Sequence, residues 1–197
     1  SLSSWGHPNG SYIAGNPLDF AALNQQALDT SAYYAAMTPT NTSTFQWGTL
    51  TVTGTQAISV IHIDGSQLAS ANNIVLSAPA GALLILNISG TADQVQYAGV
   101  SLSGTDAAHV LWNFYEATSL TINGIGIHGS VLAPLAAVSF NNGHINGSLI
   151  AGSLSGNGEV HLPLFAGPAA PLPNQEMIDE DPPAQEESQS YQEPENA

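Results

Sequence analysis

Two segments decide the fold of this chain: residues 127–133, Ile-His-Gly-Ser-Val-Leu-Ala, and residues 145–151, Ile-Asn-Gly-Ser-Leu-Ile-Ala. The offset that places Gly129 on Gly147 also places Leu-Thr-Ile-Asn at 120–123 on Val-Ser-Phe-Asn at 138–141. Short β-rich units that recur at a fixed period are typical of solenoids, in which each unit buries its apolar side by stacking on its neighbours. The sequence therefore predicts a mainly β fold, a right-handed parallel β-helix, with an ordinary β-sandwich as the alternative.

Each repeated unit combines alternating side chains with turn residues. The offset between Gly129 and Gly147 is 147 − 129 = 18 residues. At ~3.3 Å per residue, a coil of this length has a perimeter of roughly 60 Å, enough for two or three short strands. Leu120 and Ile122 alternate with Thr121 and Asn123, so we expect one set to face a narrow core and the other to face water. Asn-Gly pairs fall between the apolar runs, where the corners of a coil need positive φ.

Residues 19–37 interrupt the β-rich sequence with a helical pattern. Apolar residues recur there at spacings of three and four, with Pro17 and Asp19 as start signals and Pro39 as a stop signal. We expect this single helix to pack alongside the β-helix. The run from Ala82 to Leu86 lacks alternation, which predicts burial on both sides, by the inner core and by the helix.

Composition divides the chain into three parts. Residues 1–16 form an N-terminal extension, residues 17–166 the β-solenoid domain, and residues 167–197 a proline-rich acidic tail. Eight of the 15 acidic residues lie within 174–197, among few apolar ones, which is typical of an extended segment that does not fold alone. We expect a neighbouring copy of the protein to hold this tail, with Tyr191 as one contact.

The charge balance excludes several classes of partner. The 197 residues include no lysine or arginine, and the formal net charge is −15. Nucleic-acid grooves, phosphate clamps and patches for anionic membranes rest on those side chains, so we expect none of these partners. The longest apolar stretch, Ala82–Ile88, is far below the ~20 residues of a membrane helix, so we expect no membrane insertion. Trypsin-like proteases cut after Lys or Arg, and we expect the chain to resist them.

The sequence offers no candidate for catalysis, a cofactor or a metal. Cysteine is absent, no G-x-S-x-G motif occurs, and the seven acids before residue 174 are scattered without a close pair for acid–base work. His128, His144 and His161 follow one another at nearly equal spacing, close to one coil, and could stack. Because few carboxylates lie near them to complete a zinc site, we interpret them as a structural ladder or as turn residues.

Residues 110–165 carry a more specific pattern. Leu-Trp-Asn-Phe-Tyr-Glu-Ala-Thr at 111–118, Gly-Ser-Val-Leu-Ala-Pro at 129–134 and Asn-Gly-Ser-Leu-Ile-Ala at 146–151 closely resemble motifs of the bacterial choice-of-anchor A domain. The resemblance spans roughly 17–165. It implies a secreted domain displayed on the cell surface in adhesin-like or matrix proteins, and it brings no catalytic residues.

Seven residues are assigned a structural or assembly role. Trp112 and Phe114 share one face of a strand and could form an aromatic platform for sugar, but we prefer a plug in the core because bulky aromatics supply much of a slim core's burial. Asn113 could join a ladder of stacked amides at the corners, with Asn123, Asn141 and Asn146. The remaining four lie in the repeated segments and the tail: Gly129, Pro134, Gly147 and Tyr191.

Three functions follow from this architecture. An open β-helix exposes unpaired backbone groups at both ends, and docking of a terminus or of the acidic tail into the next molecule would give filaments. The leading hypothesis is therefore an extracellular structural subunit that self-assembles head-to-tail into fibres or surface matrix. The alternative is a surface adhesin that binds host matrix or a glycan. Ice binding ranks third, because Thr49, Thr51, Thr53 and Thr55 alternate on one strand and the pairs Ser101/Ser103 and Ser119/Thr121 echo them, although one strand makes no array.

Overall fold

The computed structural model describes residues 19–168, in which parallel strands stack in a β-helix-like arrangement. Two α-helices and one 3-10 helix occur there: α1 (Phe20–Ala35), α2 (Gly65–Ala69) and the 3-10 helix Ala107–His109. The first seven strands are β1 (Ser43–Gln46), β2 (Thr49–Thr53), β3 (Ile58–Asp64), β4 (Asn73–Ser77), β5 (Leu83–Ser89), β6 (Ala92–Gln96) and β7 (Gly99–Ser103). The next seven are β8 (Val110–Phe114), β9 (Ser119–Asn123), β10 (Gly126–His128), β11 (Ser130–Asn141), β12 (His144–Asn146), β13 (Leu149–Gly156) and β14 (Glu159–His161).

Successive coils place their strands on three sides. The first side holds the sheet β1-β2-β4-β7 and, next to β7, the sheet β10-β12-β14. The second side holds β3, β5 and β8, which pairs with Ser130–Leu132 of β11. The third holds β6 and β9, which pairs with Ala137–Asn141 of the same long β11. Among the described strands, every pair is parallel except the antiparallel hairpin β1–β2.

The strand register confirms the offset seen in the sequence. Val131 lies opposite Leu149, and Leu120 lies opposite Val138. Earlier coils are longer, because Leu50 pairs with Ile74, which in turn pairs with Val100. The extra residues form α2 and the loops at the corners, which is why the repeat is visible in the sequence only for the last coils.

Apolar side chains form two clusters separated by the second side. The larger one lies inside the coils and includes Trp112, Phe114 and Phe140, all at most 2% exposed. The smaller one lies between the outer surface of that side and α1, where Tyr34 packs against Ile85 and other apolar residues. Ala82, Leu84 and Leu86 belong to the larger cluster and Ile85 to the smaller one, so the prediction of burial on both sides is confirmed.

Helix α1 lies within the span predicted for it. The Asp19 carboxylate caps its first turn by accepting hydrogen bonds from the backbone N–H groups of Ala21 (3.1 Å) and Ala22 (3.0 Å). At its other end Tyr34 is 2% exposed, and its hydroxyl donates to the carbonyl oxygen of Pro168. None of the helices within residues 19–168 is long and apolar enough to cross a membrane.

The sequence pattern predicts a single helix, a polar link at 41–44 and one strand over 94–102, and the structure shows that all three predictions are wrong. A second helix, α2, follows β3 because the Asp64 carboxylate accepts a hydrogen bond from Ser66 N–H (2.8 Å) and caps it; this helix lies against β6, where the first coil would otherwise place a third strand. Residues 41–44 are not simply a polar link, since β1 begins at Ser43. The run 94–102 is not one strand, because a corner at Tyr97 and Ala98 separates β6 from β7.

Candidate binding face

The outward side of β1, β2, β4 and β7 is a candidate binding face, which we call the hydroxyl face. Its side chains point outward because their neighbours in sequence point in: Leu50, Val52, Ile74 and Leu76 are fully buried in the inner core. The register aligns the outward residues of the four strands in rows across the sheet.

The rows of the hydroxyl face consist of uncharged side chains, most of them small. The central row runs Thr44, Thr51, Val75, Ser101. A second row runs Thr53, Ser77, Ser103, and Ser77 Oγ donates to Thr53 Oγ1 at 3.2 Å. The third row runs Gln46, Thr49, Asn73, Gly99. Strands are spaced about 4.8 Å apart and outward residues along a strand roughly 6.7 Å apart, so the face is a two-dimensional lattice of hydroxyl, methyl and amide groups.

Only one strand of the hydroxyl face could be recognised from the sequence, and the size of the face could not. Thr49, Thr51 and Thr53 alternate visibly, but a single strand predicts no array. The register overturns that expectation, because Ser101 and Ser103 lie in the same rows as Thr51 and Thr53, two coils away. Coils of unequal length hide this alignment from any fixed-period comparison. Thr55 lies beyond the end of β2, and Ser119 and Thr121 lie in β9 on the third side, so the sequence was wrong to include these three.

Trp112 and Phe114 are fully buried in the inner core. The indole N–H of Trp112 donates to the carbonyl oxygen of His128 at 2.9 Å, which satisfies its polar group inside the fold. Neither ring reaches the surface, so the aromatic platform that the sequence left open does not exist at these positions.

Asn113 lies under α1 and not at a corner. Its side chain exchanges hydrogen bonds with Ser31 and donates to Asn87 Oδ1 at 2.8 Å. A corner ladder does form elsewhere, where Asn123 lies opposite Asn141 and Asn142 Nδ2 donates to Asn123 Oδ1 at 3.1 Å.

Gly129 and Gly147 stack where neighbouring coils approach closely. A Cβ on Gly147 would overlap the backbone of Gly129 and Ser130, and Gly129 itself has φ of +120°. Pro134 is buried at the register shift of β11, between Ala133 and Ala137. Tyr191 and the rest of the predicted tail beyond Pro168, like the extension 1–16, lie outside the described residues.

The histidines form a partial ladder. The rings of His144 and His161 are stacked, with centroids 5.8 Å apart and planes 11° from parallel. His128 is not part of this stack; it lies opposite Asn146, which in turn lies opposite His161. Within residues 19–168, no group of three or more His, Asp or Glu side chains is arranged to hold a metal ion.

Three of the acids are less scattered than the sequence indicated. Asp93 points inward from β6 opposite Leu120, and it is 6% exposed. Burial raises its pKa to about 6, and the nearby carboxylates of Glu116 and Asp64 add to the rise. The coil brings together residues from three different segments, which linear spacing cannot reveal.

Comparison of the chain with known protein families identifies one family that matches most of its length. The family model described as "Putative Ice-binding-like adhesive domain" matches residues 3–162. The adhesin-like character implied by the sequence resemblance is therefore confirmed, but the matching model is not specifically that of choice-of-anchor A. No protein with a curated description shows significant similarity to the chain.

A solved structure is also similar, that of an ice-binding protein from the Antarctic ascomycete Antarctomyces psychrotrophicus. It is 18% identical, with a TM-score of 0.46, and the match covers 74% of this chain and 70% of that one.

Proposed function

Because this chain belongs to the family of ice-binding-like adhesive domains, we propose that it is an extracellular adhesive module whose hydroxyl face binds a repetitive, uncharged surface, ice first among them. The carrying observation is the set of in-register rows on that face, such as Thr51, Val75 and Ser101. A periodic solid can meet every row at once, so contacts that are weak individually add up over the whole face.

The chemistry of the hydroxyl face favours such a surface over a charged ligand. Its outward residues include no charged side chain, so binding would rest on hydroxyl and amide hydrogen bonds and on methyl contacts. No lysine or arginine occurs anywhere in the chain to attract an anionic polymer. The module would act without catalysis, cofactor or metal, and its coils would form a continuous right-handed β-helix, as parallel crossovers ordinarily do.

Ice affinity of matched variants tests the proposal. Thr51→Glu places a charge at the centre of the hydroxyl face, and we expect it to abolish freezing hysteresis and uptake into growing ice. Thr121→Glu makes the same change on the third side, in the row of Gln94 and Ser139, and we expect it to leave both intact. Absence of ice activity in the unaltered protein would contradict the ice ligand, and loss in Thr121→Glu alone would move the site to the third side.

Self-assembly into fibres is a second candidate, favoured by the last coil. Leu154 lies opposite buried Val138, and Val160 opposite buried Ile145, yet they are 59% and 48% exposed. These are core positions with no further coil stacked on them in the described structure. Head-to-tail docking of a second copy would cover them, in line with the matrix role expected from the sequence. Electron microscopy and size-exclusion chromatography at high concentration test this candidate.

A further inference from the structure

The two most exposed aromatic side chains among residues 19–168 are those of Trp47 (87%) and Tyr97 (72%). Neither takes part in the rows of the hydroxyl face. Exposed aromatic rings with a polar edge are enriched where proteins bind other molecules, because they combine a large apolar face with a hydrogen-bonding group. Trp47 and Tyr97 are therefore candidates for a second binding site.

Both rings lie on one corner of the coil, at the edge of the hydroxyl face. Trp47 precedes β2 and Tyr97 precedes β7 by the same short step, and the first residues of these strands, Thr49 and Gly99, are both in register with Asn73. The turn before β4, which lies between these two strands, is aligned with the turn before β2, since Asn72 N–H donates to Gly48 O at 2.7 Å. Two strand spacings, roughly 10 Å, separate the backbones of Trp47 and Tyr97 along the stacking direction.

The backbone at this corner holds bulky residues in an unfavourable conformation. Within the described residues, the non-glycine residues with positive φ are Trp47 (53°), Tyr97 (52°) and Asn142 (53°), and all three lie on this corner. Trp47 and Gly48 form the tight turn of the hairpin β1–β2, a position where Asn is preferred and a bulky residue is strained. Turn formation does not explain the tryptophan, and strain of this kind is commonly retained at functional sites.

The ring of Tyr97 is fixed in place as an open platform. It lies on the backbone of Gly124, where a Cβ would come within 2.7 Å of Tyr97 Cδ1. Its hydroxyl accepts a hydrogen bond from Asn123 Nδ2 at 2.7 Å. The ring is thus supported from below by the next coil, while 72% of the residue stays exposed to a ligand.

Asparagine side chains lie on the same corner as the two rings, along the stacking direction. Asn72 lies between them, and Asn123 and Asn142 follow on the next two coils, joined by a 3.1 Å hydrogen bond. We name this set the aromatic corner: Trp47, Asn72, Tyr97, Asn123 and Asn142. None of its members is charged.

We propose that the aromatic corner binds a neutral polysaccharide chain that lies along the stacking direction of the coils. Pyranose rings offer flat C–H faces that stack on Trp47 and Tyr97, and their hydroxyl groups suit the amides between and beyond them. A linear polymer repeats these features at regular intervals, as the coils do. The net charge of −15 disfavours acidic polysaccharides. This site is separate from the hydroxyl face and does not depend on its ligand.

Affinity electrophoresis of the full chain tests the proposal, with hydroxyethyl cellulose, xyloglucan, glycol chitin and laminarin as neutral probes and alginate as an acidic one. We expect at least one neutral polymer to retard the protein. Trp47→Ala and Tyr97→Ala should each weaken that binding at least tenfold. Leu135→Ala, which removes an exposed apolar side chain away from the corner, should leave it unchanged.

Trp47→Asn separates binding from folding. It creates the Asn-Gly pair that this turn prefers, so we expect a thermal midpoint equal to or above that of the unaltered protein, together with loss of polysaccharide binding. Ice activity should persist in this variant, because the hydroxyl face is intact. Retardation by no neutral polymer, by alginate alone, or to the same degree in all corner variants would overturn the proposal.

Discussion

The side chains of Ser31 and Asn113, far apart in the chain, are joined by a buried hydrogen bond of 2.6 Å. Asn113 Nδ2 also donates to the carbonyl oxygen of Ser31 at 2.9 Å and to Asn87 Oδ1 at 2.8 Å. Asn87 in turn donates to the carbonyl oxygen of Tyr34 at 2.7 Å. This network fastens α1 to two neighbouring strands, β5 and β8, within an otherwise apolar contact.

We expect Asn113→Leu to lower the free energy of unfolding by about 3 kcal/mol, because the Ser31 hydroxyl and Asn87 Oδ1 would be left buried without partners. Urea denaturation followed by circular dichroism measures this. Gln25→Leu, on the exposed part of the same helix, serves as the control and should change stability by less than about 0.5 kcal/mol. A loss below about 1 kcal/mol for Asn113→Leu would show that water or repacking replaces the network.

Gly147→Ala should be strongly destabilising. The added Cβ would overlap backbone atoms of Gly129 and Ser130, which cannot rotate away as a side chain could. We expect a cost of at least about 2 kcal/mol in thermal or urea unfolding. The control is Gly99→Ala, whose Cβ would meet only Asn73 Oδ1 at 3.2 Å and whose φ is ordinary. Equal stability of the two variants would contradict the close stacking of the coils.

The buried carboxyl of Asp93 should make stability depend on pH. Its Oδ2 has no hydrogen-bond partner, and burial raises its pKa from 3.8 to about 6. The folded state therefore binds this proton more tightly than the unfolded state. The resulting stabilisation is complete below pH 3.8 and is lost as the pH rises through about 6, at a cost of at most about 3 kcal/mol.

Asp93→Asn isolates this effect, because its amide is uncharged at every pH. We expect the variant to be more stable than the unaltered protein at pH 8 and to approach it near pH 4. Hydrogen bonds lower the pKa of Asp64 and of Asp106, so these groups act in the opposite direction and only at lower pH. Unfolding free energies of both proteins across pH 4 to 8 give the difference; a difference that does not vary with pH would rule the prediction out.

Removing apolar groups from the last coil should suppress self-association. We expect the double variant Leu154→Gln, Val160→Thr to stay monomeric at concentrations where the unaltered chain associates, with little change in stability because both residues are exposed. Leu135→Gln, on an exposed side position, is the control. Light scattering across a concentration series measures the association, and an identical profile for all three proteins would exclude the last coil as the contact.

The parallel stacking of the coils and the features that support it could be predicted from local sequence patterns. The repeat of Gly129 and Gly147, the alternation of Leu120 and Ile122 with polar residues, and the capped helix starting after Asp19 are local patterns, and the structure reproduces each of them. Such features can be predicted because they depend on neighbours in sequence or on a repeat of constant length.

Which residues share a surface could not be predicted from the sequence, because it depends on how the coils stack in three dimensions. Thr51 and Ser101 lie in one row, and Trp47 and Tyr97 on one corner, because strands joined by segments of unequal length pair in register. Asp93 likewise comes close enough to Glu116 to feel its charge only because the coils stack. The longer loops add residues at the corners without changing the strand alignment. The spacing of residues along the chain therefore does not predict these contacts. The candidate face and the aromatic corner are therefore properties of the stacked coils.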